Sequence, residues 1–228
     1  MNTKLIATID QMIVEKHLLN HPFYQAWNAG TLTREILQEY ARQYYKHVDA
    51  FPRYVSATHS NCEDITIRQQ LLENLREEEQ GDDNHPALWM KFANALGMND
   101  YDVRSSEASP ETKIFVDTFY QLTKGGTALE GITALYCYEA QIPEISTVKI
   151  EGLKKFYGVD STAGLSFFTA HETADKIHRQ VGRDILQQLI RTADDETQAL
   201  RAAKLSLDAM WEFLNGIERK MLEEKSVN

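Results

Sequence analysis

The chain has 228 residues, 43% of them hydrophobic and 25% charged, and its formal net charge is −10. These proportions are typical of a globular protein, and the negative charge argues against nucleic acid or an anionic membrane surface as a partner. No run approaches the length of about 20 apolar residues that spans a bilayer. The N-terminal segment mixes charges into its apolar positions, which argues against a signal peptide, and two cysteines are too few for a disulfide framework. We therefore expect a cytoplasmic protein.

Helical spacing of apolar residues runs along almost the whole chain, which predicts an all-α protein. In chain order we expect a short turn or helical piece at HPFYQAW and helices near 3–19, 33–59 with a bend at Pro52, 64–80, 86–97, 110–125, 127–158 with a kink or restart at Pro143, 163–192 and 196–222. Repeats, low-complexity tracts and linkers are lacking in the sequence. The prediction is one domain over residues 1–228, a compact bundle of seven to nine helices.

The stretch HETADKIH, residues 171–178, begins like the zinc-protease motif His-Glu-x-x-His, but Asp175 stands where the second histidine should be. On a helix, His171, Asp175 and His178 share one narrow face, whereas Glu172 lies about 100° away from His171. The protease interpretation therefore fails, and Glu172 is predicted to be a bystander.

Two interpretations of this face remain open. The aspartate could accept hydrogen bonds from the histidines in a polar core cluster, or the three side chains could bind a metal ion. A mixed set of nitrogen and oxygen ligands suits iron or manganese, and zinc less specifically.

A second segment, ENLREEEQGDDNHPALW, offers Glu78 and His85 on either side of a helix break at Gly81. Both side chains could reach one site from the two helix ends. The alternative is that residues 77–79 form a solvated acidic run.

A third segment, TALEGITALYCYEAQIP, is apolar nearly all round and should be buried. A carboxylate buried there, Glu139, must be paired, protonated or bound to a cation. Glu130 is a weaker candidate because the start of a helix accommodates a negative charge. Helical bundles house di-iron carboxylate sites between facing helices, and three carboxylates with three imidazoles could hold two divalent ions.

These segments, together with HPFYQAW and YYKHVDAFPRY, resemble the family of the chlamydial protein associating with death domains, and through it the haem-oxygenase-like di-iron oxidases. The metal pattern of that family is Glu-x₆-His, then Glu, then His-x₃-Asp-x₂-His. It matches this sequence without substitution at Glu78, His85, Glu139, His171, Asp175 and His178.

The resemblance implies a haem-oxygenase-like fold and a dimetal oxygenase, Fe/Fe or Mn/Fe, that uses dioxygen and an external reductant. It further implies synthesis of p-aminobenzoate for folate from a tyrosine side chain of the protein itself, with a lysine as amino donor. The matching residues are Tyr24 and Lys149. From the residues alone, Tyr24 would be a core aromatic and Lys149 a surface lysine. Other tyrosines could relay electrons, and the sequence does not choose among Tyr40, Tyr44, Tyr45 and Tyr138.

Two other functions stay open. A dimetal oxygenase acting on an external small molecule would turn over repeatedly and leave Tyr24 intact. A non-enzymatic interaction protein with an acidic helical surface would bind no stoichiometric metal. A homodimer is compatible with this fold, although no stretch points to an interface.

Overall fold

The computed structural model describes the backbone of residues 2–227 and their side chains other than those of residues 2, 173–177, 224, 225 and 227. Within this part of the chain the regular structure is helical throughout. It comprises a 3₁₀ helix (Leu18–Asn20) and the α-helices α1 (Asn2–Glu15), α2 (Pro22–Ala29), α3 (Arg34–Asn61), α4 (Ile65–Glu79), α5 (His85–Ala95), α6 (Asp100–Ser105), α7 (Pro110–Thr123), α8 (Ala128–Glu139), α9 (Ile142–Phe156), α10 (Thr162–Leu189) and α11 (Ala193–Val227).

The predicted all-α bundle is confirmed, but the described residues form eleven α-helices rather than seven to nine. HPFYQAW makes a helix of its own, α2, because the His21 side chain caps it and Pro22 occupies its first turn. The polar connection after α5 contains the six-residue helix α6. The element expected over 127–158 is two helices that separate just before Pro143, while α3 continues through Pro52.

The junction between α4 and α5 positions two of the predicted ligands. Gly81 has φ = 80°, a left-handed conformation that glycine adopts without strain. The Asn84 side chain then accepts a hydrogen bond from the backbone N–H of Ala87 and so caps α5. The chain therefore reverses within a few residues, and the end of α4 lies beside the start of α5.

Helix α10 is the element around which the site is built. It packs against α5, α8 and α9. Helix α11 packs against α7 and α8, and helix α3 packs against α4, α5 and α7. The inner faces of these helices carry a connected hydrophobic core that is rich in aromatic side chains. Among the described residues, no helical stretch combines the length and the apolar composition of a membrane span.

Candidate metal centre

Three of the predicted ligands meet where α4, α5 and α10 converge. Glu78, His85 and His171 are all buried, and each offers one ligand atom within 4.8 Å of the other two. His85 Nδ1 lies 2.6 Å from Glu78 Oε2. The centroids of the His85 and His171 rings are 4.3 Å apart. The arrangement is a buried O, N, N donor set, which fits a divalent iron or manganese ion.

The orientation of His171 is fixed by its own helix. Its Nδ1 lies 2.6 Å from the carbonyl oxygen of Phe167, which can only accept, so Nδ1 carries the proton and Nε2 keeps a lone pair. Burial, reinforced by the neighbouring His85, lowers the pKa of His171 well below its ordinary value. The imidazole is therefore neutral and held in the form that metal ions bind.

A second group of polar side chains lies around Glu139, at the end of α8. His178 Nδ1 is 3.4 Å from Glu139 Oε1, and both side chains are more than nine-tenths buried. Asn74 donates a hydrogen bond from Nδ2 to Glu139 Oε1 over 2.7 Å. On the outer side, Glu77 Oε2 lies 3.1 Å from His178 Nε2, and the Glu77 side chain is half exposed.

Sequence reasoning missed Asn74, and it placed Glu77 only within a solvated acidic run. A signal for Asn74 was available, because it precedes Glu78 by four residues and so lies on the same face of α4. The buried face of α4 thus supplies Glu78 to the first group and Asn74 to the second.

Three further carboxylates were considered in the sequence analysis, and none of them is seen in the cluster among the described residues. The side chain of Asp175, the sixth predicted ligand, lies outside the described residues. Glu172 accepts a hydrogen bond from Thr147 Oγ1 of α9 over 2.7 Å, and its role as a bystander stays a prediction. Glu130 caps α8 in a reciprocal pair with Thr127 and does not join the cluster.

Tyr24 and Lys149 lie in one buried cluster of aromatic side chains, called the chamber below, together with Tyr40, Tyr44, Trp89 and Phe168. Lys149 Nζ lies 2.6 Å from Tyr40 Oη, to which it donates, and Tyr40 is hydrogen-bonded in turn to Tyr24. The same ammonium nitrogen lies 5.8 Å from the centre of the Tyr24 ring and 5.3 Å from that of Phe168. Lys149 is only 3% exposed, so the surface lysine expected from residue type alone is wrong.

Burial in this chamber changes the acid–base properties of its members. It lowers the pKa of Lys149 to about 7, and it raises the pKa of Tyr24 and of Tyr40. Near neutral pH a large fraction of the lysine is therefore the free amine, the form that can act as a nucleophile, while both phenols keep their protons.

A family model described as iron-containing redox enzyme matches residues 38–211 of the chain. The chain belongs to this family. It is 43% identical to a protein of Nitrosomonas europaea over 92% of this chain and 89% of that one, and 40% identical to one of Chlamydia pneumoniae over 93% and 94%. Both relatives are named 4-aminobenzoate synthase.

The fold is shared more widely. A domain of unknown function with a haem-oxygenase-like fold from Shewanella denitrificans OS217 superposes with a TM-score of 0.81 at 17% identity, over 98% of this chain and 94% of that one. This likeness confirms the predicted fold. The family match and the relatives confirm the resemblance to the chlamydial family and the prediction of a redox enzyme.

In this iron-containing redox enzyme the structure also distinguishes among the four tyrosines that the sequence left equivalent. The Tyr40 and Tyr44 rings stack with centroids 5.3 Å apart, and Tyr44 Oη lies 2.7 Å from Tyr138 Oη. Stacked Tyr40 and Tyr44 therefore lead from the chamber of Tyr24 to Tyr138 on α8, the helix that ends at Glu139. Tyr45 is elsewhere, where it accepts a hydrogen bond from Arg104 over 2.6 Å.

Proposed function

We propose that the protein makes p-aminobenzoate from the side chain of its own Tyr24, with Lys149 as the amino donor and with dioxygen and an external reductant as co-substrates. The names of the relatives support p-aminobenzoate as the product. The observation that carries the proposal is the burial of Tyr24 and Lys149 together, with Lys149 close enough to His171 of the cluster to contribute to the lowering of its pKa.

The carbon skeleton of the product is consistent with this source. A tyrosine side chain consists of a six-carbon ring and one further carbon, Cβ, which is the carbon count of p-aminobenzoate. Cleavage of the Cα–Cβ bond of Tyr24 would release the skeleton, with Cβ as the carboxyl carbon. Dioxygen would be the oxidant that brings Cβ to the carboxyl level. The Lys149 nitrogen would replace the phenolic oxygen, which leaves as water, while the Cε–Nζ bond of the lysine breaks and Cε is left as an aldehyde. Nζ lies 5.8 Å from the centre of the Tyr24 ring.

The residues of the chamber bring the two reagents together and exclude water. Tyr40 contacts both of them, since it accepts a hydrogen bond from Lys149 and is hydrogen-bonded to Tyr24. The ring centres of Tyr40 and Tyr44 lie 5.0 Å from Lys149 Nζ, and that of Trp89 lies at 5.8 Å. Burial away from water favours the neutral amine, and it outweighs the attraction between these ring faces and an ammonium group.

The two polar groups are the places where metal ions would bind. Glu78, His85 and His171 would hold one ion, and Glu139 and His178, with Asp175, would hold the other. When bound, a Fe/Fe or Mn/Fe pair would supply the redox chemistry with dioxygen. Asn74 would orient Glu139 through its hydrogen bond.

The test follows the atoms of the two reagents. The protein is produced with ring-¹³C tyrosine or ε-¹⁵N lysine, loaded with Fe(II) with and without Mn(II), and given oxygen and a reductant. We expect one labelled p-aminobenzoate at most per chain, a mass loss in the peptide that contains Tyr24, and ¹⁵N in the product.

Matched variants complete this experiment. Tyr24→Phe should abolish the product, whereas Tyr101→Phe, at a tyrosine that is 76% exposed, should leave it unchanged. Unlabelled product, or repeated turnover with Tyr24 intact, would instead show that the enzyme uses an external substrate.

A further inference from the structure

A pocket of about 220 Å³ lies between α4, α8 and α10, next to the second polar group. Its walls are mainly apolar and include Ile132, Leu135, Val181 and Ile185. Glu139 and His178 close its inner end, while the half-exposed Glu77 stands near the solvent side. Tyr24, Tyr40 and Lys149 are not among its lining residues.

Two amide oxygens on the α4 wall of the pocket lack a hydrogen-bond donor among the described residues. They are Asn74 Oδ1 and Gln70 Oε1, and both atoms are inaccessible to solvent. The Asn74 amide cannot be turned round, since its Nδ2 donates to the Glu139 carboxylate, which only accepts. Residues 70 and 74 are one helical turn apart, so their side chains are neighbours on α4.

Buried acceptors of this kind are rare because an unpaired polar atom costs free energy. A ligand that brings an N–H or O–H donor between Gln70 and Asn74 would remove the cost. The apolar walls opposite them suit an aromatic ring. A cavity of about 150 Å³ accommodates benzene, so this pocket has room for one ring with a substituent.

We propose that this pocket binds an external, uncharged molecule with a single aromatic ring and an N–H or O–H donor, that is, an aryl amine or a phenol. Such a molecule would lie beside Glu139 and His178 and would approach the centre without passing through the chamber of Tyr24. Acidic side chains line the pocket at Glu73, Glu77 and Glu139, so an aromatic carboxylate is disfavoured.

The binding test uses the full-length chain freed of metal, titrated with three fluorinated probes and followed by ¹⁹F NMR. 4-Fluoroaniline carries the donor, 4-fluorotoluene has the same shape without it, and 4-fluorobenzoate carries a negative charge. We expect the ¹⁹F signal of 4-fluoroaniline to shift and broaden as the protein is added. Of the three probes, 4-fluorobenzoate should bind most weakly. Because no metal is present, this result does not depend on the proposed function.

Two variants locate the site. Gln70→Leu removes one acceptor, and the affinity of the aniline relative to the toluene should fall about threefold to tenfold. Gln69→Leu, at the exposed neighbouring position, is the matched control and should leave the ratio unchanged. Taking the ratio cancels the general preference of the pocket for apolar rings.

Val181→Phe fills the pocket and should lower the affinity for both 4-fluoroaniline and 4-fluorotoluene at least tenfold. Val14→Phe, at an exposed position on α1, should leave both affinities unchanged. An aniline-to-toluene ratio that is the same in wild type and Gln70→Leu would overturn the proposal. Full affinity in a folded Val181→Phe variant would do so as well. If Val181→Phe does not fold, the comparison of Gln70→Leu with Gln69→Leu still decides.

Discussion

Replacing Lys149 by methionine should stabilise the protein while removing its proposed amino donor. Burial lowers the pKa of Lys149 from its ordinary value of 10.5 to about 7. At 1.36 kcal/mol per pH unit, this difference costs the fold about 5 kcal/mol when both states are protonated. The methionine loses the hydrogen bond to Tyr40, worth about 1 kcal/mol. A net gain of about 3 kcal/mol in the free energy of unfolding is expected at pH 7.

The gain should depend on pH in a defined direction. Burial lowers the pKa of Lys149 in the folded state, so its cost is present in full below pH 7, declines as the pH rises and disappears above pH 10.5. At pH 9 the cost has fallen to about 2 kcal/mol, and the advantage of Lys149→Met should shrink to about 1 kcal/mol.

Urea denaturation of the metal-free protein at pH 7, 8 and 9 measures this difference. Lys154→Met, at an exposed position on the same helix α9, serves as the control and should follow the wild type at each pH. A Lys149→Met variant that is no more stable than wild type at pH 7, or whose advantage is the same at pH 7 and pH 9, would refute the reasoning.

Three further variants test the polar groups and the helix that carries Tyr24. Glu78→Gln should lose one bound metal ion per chain by elemental analysis, and the exposed Glu79→Gln should keep both. Asn74→Leu should weaken binding of the second ion about 10- to 100-fold in a competition with a chelator, since Glu139 loses its donor. His21→Leu should lower the free energy of unfolding by about 2 kcal/mol in urea denaturation. Its Nδ1 accepts from the Phe23 N–H at the start of α2, and its Nε2 bonds Asn215.

The sequence predicted those parts of the site that depend on one helix or on one turn. His171 and His178 share a face because of the period of the helix, and the break at Gly81 allows Glu78 and His85 to meet. The burial of Glu139 followed from the apolar residues around it. Helix periods and turn residues act locally, so they can be read without knowledge of the packing.

The features that the sequence did not predict depend on how distant helices pack. Lys149 is buried because α9 places it against aromatic side chains of α2, α3, α5 and α10, and nothing near it in the chain indicates this. Tyr44 and Tyr45 are adjacent on α3 and point in different directions, so only Tyr44 reaches Tyr138. Choosing between them required the position of α8.

The chamber of Lys149 is unfavourable for stability and favourable for chemistry for the same reason. Removal from water makes the ammonium form costly, and it also provides a neutral amine near pH 7 beside the ring of Tyr24. If the lysine served only packing, replacing it by methionine would raise the free energy of unfolding, since an apolar chain of similar length fits the aromatic chamber without the desolvation cost. A Lys149→Met variant that is more stable than wild type and makes no p-aminobenzoate would therefore assign the residue to the reaction. A variant that loses stability and product together would assign it to the core.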